Sequence, residues 1–193
     1  MRLKDKVAII TGGSRGIGFA TADAFLREGA KVAVAASSEK NAEAAVEKLK
    51  AIHPDAEVVG ISPNLGSFES VKEEFDKVEK QFGRIDILVN NAGVSESTPF
   101  TSYTEADFDR VIDLNVKGVF NATRAVVDGM IKNHSGVVLN TSSMVSISGQ
   151  PSGFAYPASK FAVNGTTISL ARELGPKRNP CQCSCSGKLR KQT

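Results

Sequence analysis

The first 180 residues contain no cysteine; the chain's three cysteines lie together at Cys181, Cys183 and Cys185. That rules out a disulfide scaffold for the body of the protein and fits a reducing, cytoplasmic setting. Histidine is nearly as scarce. His53 and His134 stand far from each other and from the cysteines. Alternate cysteines in a basic tail are what a soft metal would use, but the paired four-ligand spacing of a structural zinc site is missing. Long apolar runs are absent too: Met1-Arg-Leu-Lys-Asp-Lys leads straight into a run of strand length, too short for a signal peptide or a membrane span. The last seventeen residues have no acid. They hold Lys177, Arg178, Lys188, Arg190 and Lys191, so of the formal net charge of +3 the remainder of the chain carries −2. The basic isoelectric point therefore belongs to the tail and gives no reason to expect a nucleic-acid surface.

What is present is a regular alternation of hydrophobic periods. Lys6–Thr11, Lys31–Ala36, Glu57–Ile61, Ile85–Val89 and Gly136–Thr141 read as short buried strands. Between them, helical spacing places Ala42, Ala45, Val46, Leu49 and Ile52 on one face, and Val71, Phe75, Val78 and Phe82 on another. In the first helix, begun near Gly16, the same spacing predicts a sheet-facing stripe of Ile17, Ala20, Thr21, Ala24 and Phe25. Thr104-Glu-Ala-Asp107 has the form of a capping box opening a long helix to about Met130. Strand and helix alternating without repeat or linker predict one α/β domain with a doubly wound parallel sheet.

Three motifs sit at informative places in that pattern. Thr11-Gly-Gly-Ser-Arg-Gly-Ile-Gly18 follows the first strand and opens the first helix, where glycines allow a tight turn and the helix N-terminus presents amides to phosphate. Asn90-Asn-Ala-Gly93 follows the fourth strand, at the carboxyl edge where ligands bind. Tyr156 and Lys160 stand four apart, on one face of the last helix. An ammonium beside a phenol favours the phenolate, which suits the tyrosine to proton transfer.

These motifs, in this order, resemble the short-chain dehydrogenase/reductase family over about residues 4–175. The resemblance implies a Rossmann-type domain over residues 1–176 and an oxidoreductase that interconverts a secondary alcohol and a ketone. It assigns Tyr156 as general acid/base, Ser143 as hydrogen-bond donor to the reacting oxygen, and Lys160 as partner of the phenol and of the nicotinamide ribose. Asn115 would hold a water in the proton relay. Within the Thr141-Ser142-Ser143 run Ser142 is the rival; the thirteen-residue spacing to Tyr156 favours Ser143. The cofactor contacts implied are Gly12, Ser14, Arg15, Gly16, Ile17, Gly18, Ser37, Ser38, Asn64, Leu65, Asn91, Ala92 and Gly93, together with Tyr156 and Lys160. The family commonly forms homodimers or homotetramers through its two long helices, here near 104–130 and 156–174.

Cofactor choice turns on the end of the second strand, where an acid would bind a ribose 2′-hydroxyl and repel a 2′-phosphate. Here stand Ala36, Ser37 and Ser38, with Arg15 in the glycine turn, so NADP(H) is expected ahead of NAD(H), and Glu39 is the residue that argues the other way. Asn64 stands where the family usually has an Asp contacting adenine; its amide still bonds, without the charge. For substrate, Thr11–Ala20, His53-Pro-Asp-Ala-Glu-Val-Val-Gly60, Gly118-Val-Phe-Asn121 and Ser152–Lys160 are similar to bacterial bile-acid hydroxysteroid dehydrogenases. That implies a small hydroxy or keto substrate of steroid or lipid metabolism. The reductases of oxoacyl groups on acyl carrier protein are the second reading.

The tail departs from the family. After Gly175 a sixth strand, typically Ile-Arg-Val-Asn-Ala-Val-Ala-Pro-Gly, is expected; the chain has Asn179-Pro-Cys-Gln-Cys-Ser-Cys-Ser-Gly187. Back-translated as AAY CCN TGY CAR TGY AGY TGY TCC GGN and read one base later, this stretch permits the family's residues at all nine positions. Residues 177–193 are thus expected to be an aberrant, frameshifted tail, with the domain truncated after the helix carrying Tyr156 and Lys160. One β edge would then be unpaired. A non-enzyme reading follows from this, in which the chain as written is an inactive cofactor-binding remnant.

Overall fold

The computed structural model describes residues 1–175 and, as backbone, 182–186. Six strands run parallel in the order β3-β2-β1-β4-β5-β6: β1 Val7–Thr11, β2 Lys31–Ala35, β3 Val58–Ile61, β4 Ile87–Asn90, β5 Val137–Thr141 and β6 Gln182–Ser186. Helices α1 Gly16–Arg27, α2 Glu39–Ile52 and α3 Phe68–Phe82 alternate with the first four strands. After β4 come α4 Glu105–Ile112, α5 Gly118–Lys132, the short α6 Val145–Ser148 and the long α7 Ala155–Leu174. Crossover helices on both faces explain why every residue of β1 is buried. Val7 and Ile9 face a core completed by Val71, Phe75 and Val78 of α3 and Val126 and Met130 of α5. Ala8 and Ile10 face the opposite core, with Ala22 and Leu26 of α1 and Ala45 and Leu49 of α2.

The expected α/β doubly wound sheet is present, with three corrections. The buried stripe of α1 is Gly18, Ala22 and Leu26, while Ile17 is 55% exposed. The third glycine of the turn sets this rotation: a Cβ on Gly18 would stand 2.2 Å from the Gly12 carbonyl oxygen, so the helix turns its side-chain-free face to the turn and its next two turns follow. Second, the long helix after Thr104 is interrupted by a π-helical turn at Asp113–Lys117, centred on Asn115. The capping box itself forms as expected, Thr104 accepting from Asp107 N and the Asp107 carboxylate from Thr104 N. Third, the edge of β5 is paired: Val137–Thr141 lies in register with Gln182–Ser186. A parallel ladder is made of main-chain groups, so it accepts a sequence unlike the family's sixth strand. The expected frame junction at 176–178 and the side chains of the three cysteines lie outside the described residues.

Candidate active site

At the carboxyl ends of β1 and β4 the chain ties two loops together. Thr11 Oγ1 donates to the Val89 carbonyl at 3.3 Å and accepts from the amides of Asn91 (3.0 Å) and Ala92 (3.1 Å). Asn91 Nδ2 returns two bonds, to the carbonyls of Thr11 and Gly12. Gly12, at φ +65°, takes the left-handed turn that leads into α1. The cap residue of α1, Arg15, makes no side-chain cap bond, and the first turn holds no acid. The helix start therefore keeps main-chain donors for an anion.

Beside it opens a cleft of about 820 Å³, whose lining includes Gly12, Ser14, Arg15, Gly16, Ile17, Ser37, Asn64, Leu65, Asn91, Ala92 and Gly93. Nearly all the residues expected to meet a cofactor are thus brought together. Gly18 acts through shape, beneath the turn. Ser38 is not among the lining residues; its hydroxyl accepts from Asn41 N at 3.3 Å and caps α2. Asn64 Oδ1 accepts from Gly66 N, closing the loop after β3. The sequence reading missed Asn41 and Lys48, which line the cleft from α2. They lie seven apart on one helical face, a spacing that marks them as neighbours of the serine pair. A cradle of glycines, an uncapped helix start and a cleft of this size fit a dinucleotide.

The residues expected to carry proton transfer approach this cleft through Gly93, one of its lining residues. Lys160 is 6% exposed; its Nζ donates to the Thr141 carbonyl at 2.8 Å and lies 5.8 Å from the centre of the Tyr156 ring. A Cβ placed on Gly93 would stand 3.8 Å from that ammonium and 3.1 Å from Asn115 Oδ1. Asn115, fully buried, accepts from Val94 N (2.9 Å) and donates to Val94 O (2.8 Å) and Ser159 Oγ (3.0 Å). Ser159 Oγ in turn donates to the Tyr156 carbonyl at 2.7 Å. Both amide hydrogens of Asn115 are taken by protein acceptors, so a water held here has only its oxygens to bond.

Ser143 lies just past β5. The Ser142 hydroxyl is buried and donates to Ser146 Oγ at 3.2 Å and toward the Lys160 carbonyl at 3.5 Å. Ser143 Oγ accepts from Val145 N at 3.5 Å. Ser146 was not singled out in the sequence. It donates to the Ser143 carbonyl at 2.6 Å and accepts from Asn164 Nδ2 of α7 at 2.8 Å, so it ties the serine loop to the helix of Tyr156 and Lys160. The second tyrosine, Tyr103, has its phenol pKa raised by burial first and by the Glu96 carboxylate second. Among the described residues no cluster of three metal-ligating side chains occurs, and no helix is long and apolar enough to cross a membrane.

The sequence profile of the short chain dehydrogenase family matches residues 6–191. This chain belongs to that family. It is 53% identical over 175 residues to a protein of Mediterraneibacter gnavus (strain ATCC 29149 / DSM 114966 / JCM 6515 / VPI C7-9) named 3alpha-hydroxysteroid dehydrogenase, a match covering 91% of this chain and 70% of that one. A Thermotoga maritima 3-oxoacyl-(acyl-carrier-protein) reductase is 41% identical over 174 residues, covering 90% and 70%. The crystal structure of an NAD+-bound xylitol dehydrogenase superposes with a TM-score of 0.91 at 31% identity, covering all of this chain and 74% of that one. That of levodione reductase gives 0.90 at 35%, covering 96% and 72%. As a short-chain dehydrogenase the protein is a nicotinamide-dependent oxidoreductase.

Proposed function

We propose that this short-chain dehydrogenase interconverts a hydroxysteroid and its ketone with NADP(H). The observation that carries the reading is the placement of Tyr156 and Lys160 on one face of α7, the lysine anchored to Thr141 and set against Gly93 at the inner end of the cleft. When bound, the nicotinamide supplies or accepts the hydride. In the reducing direction Tyr156 gives its proton to the substrate oxygen as the carbonyl carbon gains hydride, and Ser143 donates a hydrogen bond to the same oxygen. Lys160 holds the ribose and the phenol, and Asn115 joins the β4 loop to the start of α7. Ser142 is committed to Ser146 and Lys160, which supports Ser143 as the serine that meets substrate.

NADP(H) is favoured by the cleft wall after β2, where Ser37, Asn41, Lys48 and Arg15 offer donors and cations and, among the described residues, no acid lines the cleft. A hydroxysteroid is favoured by the Mediterraneibacter gnavus relative and by the apolar side chains exposed directly after Ser143, Met144 at 56% and Ile147 at 76%. The test is nicotinamide oxidation by the purified chain with a 3-oxo bile acid against an acetoacetyl thioester. Turnover of the steroid, lost in Tyr156→Phe with NADPH binding kept, is expected; turnover of the thioester alone would replace the substrate assignment by the acyl-carrier-protein one. Cytoplasmic location and a homo-oligomer through the exposed faces of α5 and α7 complete the reading.

Residues 177–193 we assign to a shifted reading frame. Nine successive codons compatible with the family's sixth strand support this. Sequencing the coding DNA from the Leu174 codon onward tests it; a frame and intact mass that match the chain as written would remove it.

A further inference from the structure

The helix that carries Tyr156 and Lys160 begins without a cap of its own. Phe154, its cap residue, makes no side-chain cap bond, and the first turn holds no acid. Pro157 in that turn has no amide hydrogen, so the orphan donors of the helix start include those of Ala155 and Tyr156. The acceptor comes from sixty residues earlier in the chain: Glu96 Oε1 accepts from Tyr156 N at 3.2 Å. Its other oxygen, Oε2, accepts from Thr98 N at 3.1 Å and so fixes the carboxylate in its own loop.

The same two loops are joined at two further points, and a third bond braces the approach to α7. Gln150 Nε2 donates to the Glu96 carbonyl (3.0 Å) and to the Gly153 carbonyl (2.9 Å), and Gly153 N donates to the Thr98 carbonyl at 3.0 Å. Gly153 takes φ +91°, and a Cβ there would lie 2.2 Å from Gln150 Nε2 and 2.3 Å from the Glu96 carbonyl oxygen. The loop following the fourth strand and the approach to α7 therefore meet with no room for a side chain between them. The pKa of the buried Tyr103 hydroxyl is raised by burial first and then by this same carboxylate.

From this geometry we infer that Glu96 is a positioning residue for Tyr156, its carboxylate acting as the missing cap of α7 and setting where the phenol stands relative to the cofactor cleft. The carboxylate satisfies a main-chain donor of the residue that moves the proton, and the Gln150 clamp keeps it there. The role of Tyr156 as acid/base is the reading given above; the cap itself does not depend on it.

The chain has two tyrosines and no tryptophan, and both tyrosines touch this cluster. Full-length protein labelled at tyrosine Cζ gives two carbon resonances, assigned with Tyr156→Phe and Tyr103→Phe. In Glu96→Ala the Tyr156 resonance shifts or broadens, and its main-chain amide exchanges with solvent about tenfold faster, the usual scale for a lost helix cap. Glu96→Gln, which keeps the size and one accepting oxygen, restores most of that protection. Amides of β4 and α5 stay as in the parent protein. An unchanged Tyr156 resonance and amide in Glu96→Ala, with Tyr103 alone responding, overturns the inference, as does equal loss of protection across β4 and α5. Retained turnover in Tyr156→Phe would overturn the acid/base reading instead, and leave the cap standing or falling on the exchange data.

Discussion

Replacing Gly18 with alanine places a methyl 2.2 Å from the Gly12 carbonyl oxygen, 2.6 Å from Asn91 Nδ2 and 2.8 Å from the Gly12 carbonyl carbon. Ordinary van der Waals contact begins at 3.4 Å, so the turn or the start of α1 must move by more than an ångström, and the atom in the way is main chain. Overpacking of this kind costs about 1–3 kcal/mol, and the rigid partner argues for the upper end. Alanine returns about 1 kcal/mol of helix propensity, which leaves a net loss of about 2 kcal/mol. For a chain of this size that is a fall in Tm of about 4–8 °C by scanning calorimetry. The displaced turn is the one that faces the nucleotide, so the Kd for NADPH, read by fluorescence titration, rises at least about tenfold. Gly165→Ala is the control: it lies within α7 with nothing within 4 Å of the added methyl, and should gain about 0.5–1 kcal/mol and raise Tm by about 1–4 °C. If Gly18→Ala melts with the parent protein and binds NADPH as tightly, the argument that this glycine sets the rotation of α1 is wrong.

Ser37→Asp puts a carboxylate on the cleft wall after β2; NADPH affinity should fall by more than about tenfold while NADH affinity holds or improves, and an unchanged preference would discard the phosphate assignment. Asn140→Ala removes the buried amide that accepts from Asn90 Nδ2 and donates to Thr167 Oγ1, both at 2.9 Å; a loss of about 1–3 kcal/mol is expected from the two buried bonds removed, seen as a Tm lower by about 2–12 °C. Asp23 has its carboxyl pKa lowered, chiefly by the hydrogen bond from His53. A depressed carboxyl pKa contributes stability that is present above the ordinary value of 3.8 and is lost as the pH falls below it. Asp23→Asn should therefore melt below the parent protein at neutral pH and converge with it in acid; a gap that widens in acid would contradict the linkage.

The elements whose side chains are periodic are legible in the sequence itself: the stripe of Val71, Phe75 and Val78, the cap at Thr104 and the buried strands all stand where the periods put them. The rotation of α1 is not, because hydrophobic spacing ranks Ile17 above a glycine, and only the contact of Gly18 with Gly12 reveals which face is pressed inward. The π-helical turn is equally hidden. It is held by Asn115 bonding both main-chain groups of Val94, a residue twenty-one positions earlier. Residues that a loop motif marks, as at 12–17 and 91–93, come to line one cleft. Ser38 does not line it; its hydroxyl accepts the capping bond of α2, a local role that the same residue type signals equally well. Glu96 carries no motif at all. Its partner is chosen by the way two loops come together, and local sequence does not encode that.

Among the described residues the cleft beside α1 is lined by those between Gly12 and Leu114, whereas Ser143, Tyr156 and Lys160 all follow them in the chain. The proposed nucleotide cleft and the proposed chemical groups are therefore written in successive stretches of one polypeptide, with Lys160 reaching back across the boundary toward Gly93. A variant that still adheres to a nucleotide affinity resin would report on the cleft between Gly12 and Leu114 and say nothing of where Ser143 and the Tyr156 phenol stand.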